Sequence, residues 1–149
     1  MSSYRQIIYQ IIFRTKHSHK TLKLEQNERL FKYIWGTIKN KNCHLYRING
    51  MEEHIHILTD LHPNIALADF IRDIKTASSI WLKDSKYFPY FIGWVDGYAA
   101  LTYSNWDKDK LINYVKNQQD HHKKETFEEE YRRLLREHNI KIEERYCLK

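Results

Sequence analysis

This sequence predicts an α+β fold of the ferredoxin-like kind: a β-α-β-β-α-β sandwich, its antiparallel sheet covered by helices on one face, with two further helices C-terminal to it. Three observations carry that prediction. Apolar alternation and short apolar runs mark four strand segments, apolar residues at helical spacing mark two helices between them, and the segments follow one another in β-α-β-β-α-β order. The 149 residues fit one domain, 1–149, because 42% apolar and 14% aromatic side chains supply a core while Gly and Pro are too scarce for a linker.

Tyr4 to Phe13 reads as the first strand, with Ile7, Ile8, Ile11 and Ile12 putting apolar groups on both faces as a central strand does. Leu30, Phe31, Ile34, Trp35 and Ile38 then recur at helical spacing, which predicts an amphipathic helix from Asn27 to about Lys41, weakened slightly by Gly36. Cys43 to Ile48 and His54 to Thr59 form a hairpin, and its connection, Asn49-Gly50-Met51-Glu52-Glu53, opens on the Asn-Gly turn pair. After Pro63-Asn64, the residues Leu67, Phe70, Ile71, Ile74, Ala77 and Trp81 mark a second helix ending near Asp84. Lys86 to Phe91 is loop-like. Trp94 to Tyr103 returns to strand composition, with Gly97 at a bend or bulge. Ser104-Asn105-Trp106-Asp107 has the form of a capping box opening a third helix, which carries Leu111, Tyr114, Val115 and Gln118. Thr126-Phe127-Glu128-Glu129 opens a fourth, with Phe127, Tyr131, Leu134, Leu135 and His138 along one stripe.

Net charge is +6, and its distribution says more than the total. Residues 1–49 hold ten Lys or Arg against two Glu, a balance of +8, whereas residues 50–149 hold 15 against 17, a balance of −2. The basic half is the expected face for a polyanion, above all a nucleic acid. Tyr4, Tyr9, Phe13, Tyr33, Trp35 and Tyr46 lie among these cations, and aromatic faces can stack unpaired bases, although core packing claims most of them. No apolar run reaches membrane-spanning length, and the start alternates like a strand rather than a secretion signal, so neither a membrane protein nor a secreted one is expected. Cys43 and Cys147 form neither a disulfide framework nor a C-x-x-C pair, which suits a reducing cytosol.

Chemistry concentrates in His54-Ile55-His56, read together with Tyr114 and Gln118. In a strand the two histidines point to one sheet face, and on a helix Tyr114 and Gln118 lie one turn apart on one side. Two imidazole nitrogens, an amide oxygen and a phenol can then surround one metal-held phosphate, a nuclease-like site with a tyrosine nucleophile. With nine His in 149 residues, neither H-x-H nor Tyr-x-x-x-Gln is diagnostic alone, and the chain holds a second pair, His17-Ser18-His19. That second pair sits in a polar, basic stretch, whereas His54 and His56 alternate with Ile55 and Ile57 and run into Leu58. Taken singly, a tyrosine on an amphipathic helix is ordinarily core and strand histidines are ordinarily hydrogen-bonded; their combination favours the functional reading. His121-His122 read as surface or phosphate-contacting residues, since neighbours in sequence do not share a helix face. Asp60 and Asp120 are candidates for orienting a ligand from behind, without a catalytic assignment.

Three segments in order extend the pattern: Met51-Glu52-Glu53-His54-Ile55-His56-Ile57-Leu58, then Trp94-Val95-Asp96-Gly97-Tyr98-Ala99-Ala100, then Tyr114-Val115-Lys116-Asn117-Gln118-Gln119-Asp120-His121-His122. From about Tyr4 to Tyr146 the chain resembles the HUH-type single-tyrosine transposases of bacterial insertion sequences, a family of single-stranded DNA transposases. The tail from Lys124 to Tyr131, with Glu144-Arg145-Tyr146 beyond it, is similar to the compact members of that family. The resemblance implies that His54 and His56 bind a divalent ion, Mg²⁺ or Mn²⁺, that Gln118 completes the coordination, and that Tyr114 attacks DNA. It also implies single-stranded DNA with hairpin ends as substrate, and a homodimer in which the tyrosine helix of one subunit can serve the histidines of the other. A bacterial cytoplasmic location, nucleoid-associated during action, goes with that.

The residue types suit the chemistry. A hard ion polarises a phosphate oxygen while keeping open positions for substrate, and a phenol of pKa about 10 must be set in line and lose its proton to a base or metal-linked water. Attack leaves a 5′-phosphotyrosine and a free 3′-hydroxyl, and the retained phosphodiester energy lets rejoining proceed without ATP. Arg14, Lys16 and Arg47 are candidate phosphate contacts. Two other readings use the same residues: a related strand-nicking enzyme, such as a replication initiator, relaxase or host-adopted relative, and a non-enzymatic nucleic-acid-binding module.

Overall fold

The structure is a computed structural model that describes residues 2–143; Glu144-Arg145-Tyr146 and Cys147 lie outside the described residues. Four strands, β1 (Ile8–Arg14), β2 (Leu45–Gly50), β3 (His54–Thr59) and β4 (Ala99–Tyr103), make one sheet in the order β2-β3-β1-β4, with every pairing antiparallel. Helix α1 (Asn27–Asn40) connects β1 to β2, and α2 (Leu67–Asp84) connects β3 to β4. This is the α+β, ferredoxin-like order predicted from the alternation of segments. Three short helices follow: α3 (Lys108–Lys116), α4 (Gln118–His121) and α5 (Phe127–Glu137).

Both sheet faces are covered, by different parts of the chain. Ile11 and Phe13 of β1 and Ile55 and Ile57 of β3 pack against Leu30, Ile34 and Ile38 of α1 and Phe70, Ile71 and Ile74 of α2. On the opposite face, Ile8 and Leu58 meet Leu111 and Val115 of α3, while Ile12, Ala99 and Leu101 meet Phe127, Leu134 and Leu135 of α5. All six residues of β3 are therefore buried. Period-two alternation sends His54, His56 and Leu58 to the face that α3 and α5 close, and Ile55 and Ile57 to the other.

Several boundaries differ from expectation for local physical reasons. β1 starts at Ile8 rather than Tyr4, because β3 ends opposite Tyr9 and β4 ends opposite Ile8, which leaves earlier residues nothing to pair with. Asn49-Gly50 lies inside β2, and the turn is Met51-Glu52-Glu53, with Met51 N–H donating to the His54 carbonyl at 3.0 Å. Gly50 is needed for close approach rather than for turning: a Cβ there would stand 2.3 Å from the His54 carbonyl oxygen. Trp94 makes only an isolated bridge to Thr15, and β4 begins at Ala99 once Gly97, at φ +93°, has turned the chain. Ser104 does not build a capping box; its Oγ donates to Asp107 Oδ2 at 3.2 Å, and a 3₁₀ turn precedes α3. Thr126 does build one, exchanging 3.1 Å bonds with Glu129 in both directions. Among the described residues no helix is long and apolar enough to cross a membrane.

Candidate active site

Strand β3 delivers two imidazoles, and the groups behind them fix which nitrogen points inward. His54 Nδ1 pairs with Glu53 Oε1 at 2.7 Å, and its ring stacks on Phe127 with centroids 4.0 Å apart. His56 Nδ1 meets Gln10 Oε1 at 2.9 Å, and Gln10 Nε2 donates onward to Tyr103 Oη at 2.7 Å. With each Nδ1–H held by an oxygen acceptor, each Nε2 keeps its lone pair and can ligate a cation at a common point.

At that point stands Glu130 of α5, fully buried. The Nε2 atoms of His56 and His122 each lie 3.0 Å from Glu130 Oε1, and His54 Nε2 lies 3.6 Å from it. These four residues bring one ligand atom each to within 4.8 Å of one another. Gln118, also buried, adds its Oε1 at 3.0 Å from His122 Nε2 and 3.4 Å from His54 Nε2, and donates from Nε2 to Glu130 Oε2 at 2.9 Å. Donors about 2.1 Å from an octahedral ion sit about 3.0 Å apart along each edge, so this spacing fits a divalent ion. Three imidazoles beside one carboxylate suit a first-row transition ion better than the oxygen-seeking Mg²⁺.

The electrostatics agree with the geometry. Burial pushes His54 down to about 4, so that its imidazole is neutral at physiological pH. Burial alone would raise the Glu130 carboxyl, but His56, His122 and Tyr114 outweigh it and hold the group well below the usual carboxylate range. His122 is also opposed by burial, yet Glu130 lifts it above its ordinary value. An anionic, dry carboxylate among imidazoles is the environment a cation neutralises.

The tyrosine helix closes the arrangement within one chain. Tyr114 Oη donates to Glu130 Oε2 and accepts from Arg133 Nη2 at 2.9 Å, and its ring centroid lies 6.2 Å from that of His56. Burial, reinforced by Glu130, raises the phenol far above its ordinary range against the pull of Arg133. Tyr114 and Gln118 do not share one continuous helix, because α3 stops at Lys116 and α4 starts at Gln118, yet both reach the same carboxylate oxygen. The carbonyl of Lys116 accepts from Asn49 Nδ2 at 2.9 Å, which ties the end of α3 to β2.

The other residues singled out from sequence are scattered. Arg14, opposite His54 on β1, is largely buried, 3.8 Å from Glu128 and facing the Tyr131 ring. It lines a cavity of about 630 Å³ together with the exposed Lys16 and Tyr98 and the half-buried Tyr131. Arg47 is exposed on the edge strand β2. His17 and His19 are exposed, with rings 5.3 Å apart, and take no part in the cluster. Asp60 accepts from the His44 N–H, and Asp120 pairs with Lys123 in solvent. Among the histidine neighbours, His121 turns to Glu125 whereas His122 turns inward, correcting the surface reading for the second of the two. His122 follows α4 as its C-terminal cap, so the helix-face rule still separates the pair but leaves one of them free to enter the site.

Sequence reasoning also missed Glu130, Arg133 and the orienting role of Glu53. The signal for Glu130 was its position three residues after Phe127 and four before Leu134, an acid on an apolar stripe.

A four-stranded antiparallel sheet with two helices on one face, a pair of buried strand histidines on the other and a tyrosine helix lying across them defines the class of HUH single-tyrosine transposases. Residues 3–118 match the family described as Transposase IS200 like, and the chain belongs to that family. It is similar to the ISDra2 transposase TnpA of Deinococcus radiodurans, with 24% identity over 122 residues covering 77% of this chain and 86% of that protein. A crystal structure assigned as a transposase from Deinococcus radiodurans R1 shares the fold at a TM-score of 0.58 and 24% identity, over 79% of this chain and 95% of that one. So does a REP-associated tyrosine transposase bound to a REP hairpin, at a TM-score of 0.56 and 16% identity, over 78% of this chain and 72% of the other.

Proposed function

We propose that this protein is a metal-dependent single-stranded DNA transposase that cleaves and rejoins insertion-sequence ends through a 5′-phosphotyrosine on Tyr114. One observation carries the reading: the phenol of Tyr114 and the Nε2 atoms of His56 and His122 all meet the two oxygens of Glu130. Nucleophile and metal ligands thus share a carboxylate. His54, His56, His122 and Glu130 Oε1, with Gln118 Oε1 beside them, hold the ion, and Glu53 and Gln10 orient the two strand imidazoles. A divalent ion bound there supplies charge that polarises a phosphate oxygen. Glu130 Oε2 holds the Tyr114 hydroxyl in place, and Tyr114 attacks phosphorus as its proton is lost to water.

The substrate is a single strand with hairpin ends, a reading supported by family membership and by a fold neighbour bound to a REP hairpin. Arg14 and Lys16 flank the cavity beside His54 as phosphate contacts, and Arg47 serves a more distant stretch of strand. Association of two copies, which the resemblance implies, belongs to the proposal as well, although the arrangement within one chain is the cis one. Purified protein with Mn²⁺ or Mg²⁺ is expected to cleave its cognate single strand and run as a covalent adduct on a denaturing gel. Tyr114→Phe should abolish the adduct and spare DNA binding; a persisting adduct excludes this nucleophile. Rejoining of element ends in the same reaction separates a transposase from a related strand-nicking enzyme, and binding without any adduct would favour the non-enzymatic module.

A further inference from the structure

We propose that Arg133 is a catalytic residue, the cation that grips the scissile phosphate at the moment Tyr114 attacks it; this rests on the reading of Tyr114 as the nucleophile. Arg133 lies on α5, beyond the residues that match the family. Its guanidinium is fastened on two sides. Nε and Nη2 donate to the two oxygens of Glu125 at 2.9 and 3.2 Å, and Nη1 donates to Glu137 at 3.0 Å. The remaining reach of Nη2 is to the phenol oxygen of Tyr114, at 2.9 Å.

An arginine placed only for helix solubility would need nothing beyond its (i, i+4) partner Glu137, a contact of small energetic value. Here the side chain also crosses from α5 to α3 and ends on the reacting atom. The approach to that atom is otherwise electrically hostile. A phosphodiester carries a negative charge, and the other group bonded to the phenol is the carboxylate of Glu130. Glu130 is sealed, with a side chain 0% exposed, whereas the side chain of Arg133 is 31% exposed, so of the two groups bonded to the phenol only the guanidinium can be reached from solvent. Glu125 and Glu137 take three of its five N–H groups, and the pair left on Nη1 and Nη2 can face phosphate oxygen once the phenol turns to phosphorus; the fixed anchoring means little rearrangement when charge builds up there.

In the step itself, the Tyr114 proton is lost to water, the bond from the phenol oxygen to phosphorus forms, and the bond from phosphorus to the 3′ oxygen breaks. The 3′ oxygen takes a proton from water. Arg133 neither gains nor loses a proton; it donates to a non-bridging oxygen whose negative charge grows in the transition state. The contact therefore matters most for a diester that already carries a full negative charge, and much less for a neutral one.

The test is single-turnover adduct formation on the hairpin-bearing single strand from the end of the encoding element, compared with the same strand carrying a neutral methylphosphonate at the scissile position. Arg133→Gln is expected to slow the natural diester about 100-fold, to change the methylphosphonate rate by less than about threefold, and to leave strand affinity and Tm near wild type. Arg133→Lys, which keeps the charge and gives up the fork, should lie between the two. Arg136→Gln, on the same helix, should match wild type on both substrates. Should Arg133→Gln fail to fold, Arg133→Lys carries the same two-substrate comparison. Equal slowing on both substrates, or none on either, overturns the assignment. No adduct from the wild-type protein overturns the functional reading, and this inference with it.

Discussion

Glu130 is a buried charge, and four partners make it tolerable. Gln118 and Tyr114 donate to Oε2, and the imidazole Nε2 atoms of His56 and His122 stand 3.0 Å from Oε1, so both oxygens of the desolvated carboxylate are met by polar groups. The same arrangement makes it the residue whose change should most disturb the ion. Glu130→Gln keeps the shape and removes the anion, and Mn²⁺ affinity by titration calorimetry is expected to fall about tenfold or more; an unchanged affinity would remove Glu130 from the ligand set. The wild-type site should bind Mn²⁺ more tightly than Mg²⁺, in keeping with its three imidazoles. His54, His56, Tyr114 and Gln118 could be read from spacing, because strand and helix periodicity translate directly into shared faces. Glu130 could not be read so easily. It stands in a run of three glutamates at a helix start, where acids are ordinary, and only folding reveals the division of labour: Glu129 caps the helix, Glu128 pairs with Arg132, and Glu130 turns inward.

Among the elements, the β2-β3 hairpin carries the most consequence per residue. Its apolar alternation identified both strands, and the Asn-Gly pair gave the right neighbourhood with the wrong role. Asn49 uses its side chain to cap Gly50 N–H and to hold α3, while Gly50 lets β3 come close. Local sequence cannot distinguish a glycine needed for a turn from one needed for approach, since both lack a Cβ for different reasons. Gly50→Ala forces backbone apart at the first histidine and is expected to cost about 1–3 kcal/mol, visible as a lowered Tm together with weakened metal binding. A variant with wild-type Tm would mean that the hairpin yields without penalty. Similar logic explains α3. Spacing predicted one helix from Asn105 through Gln118, but the chain breaks at Asn117 and restarts, and that break allows Gln118 and then His122 to face the same interior.

At the scale of the whole molecule, the order of strands and helices was legible because each segment announces its own period, and the β-α-β-β-α-β succession admits few topologies. Which face the last helix would cover was not legible, since a stripe of Phe127, Leu134 and Leu135 fits any apolar surface. Its docking on Ile12 of β1 and on Ala99 and Leu101 of β4 follows from tertiary packing alone. Because Tyr114 meets the histidines of its own chain, a mixture of Tyr114→Phe and His56→Ala proteins is expected to yield no more adduct than either variant by itself. Recovery of adduct in the mixture would show that two copies exchange their tyrosine helices.

Helix α5 also has a temporal consequence. A ribosome releases the sheet and the tyrosine helix before it releases Phe127–Glu137, so the nascent polypeptide holds the Tyr114 hydroxyl before it holds the carboxylate and guanidinium that α5 contributes. On the proposed reading, cutting competence arrives only with α5, and a chain terminated before Phe127 lacks both of those groups.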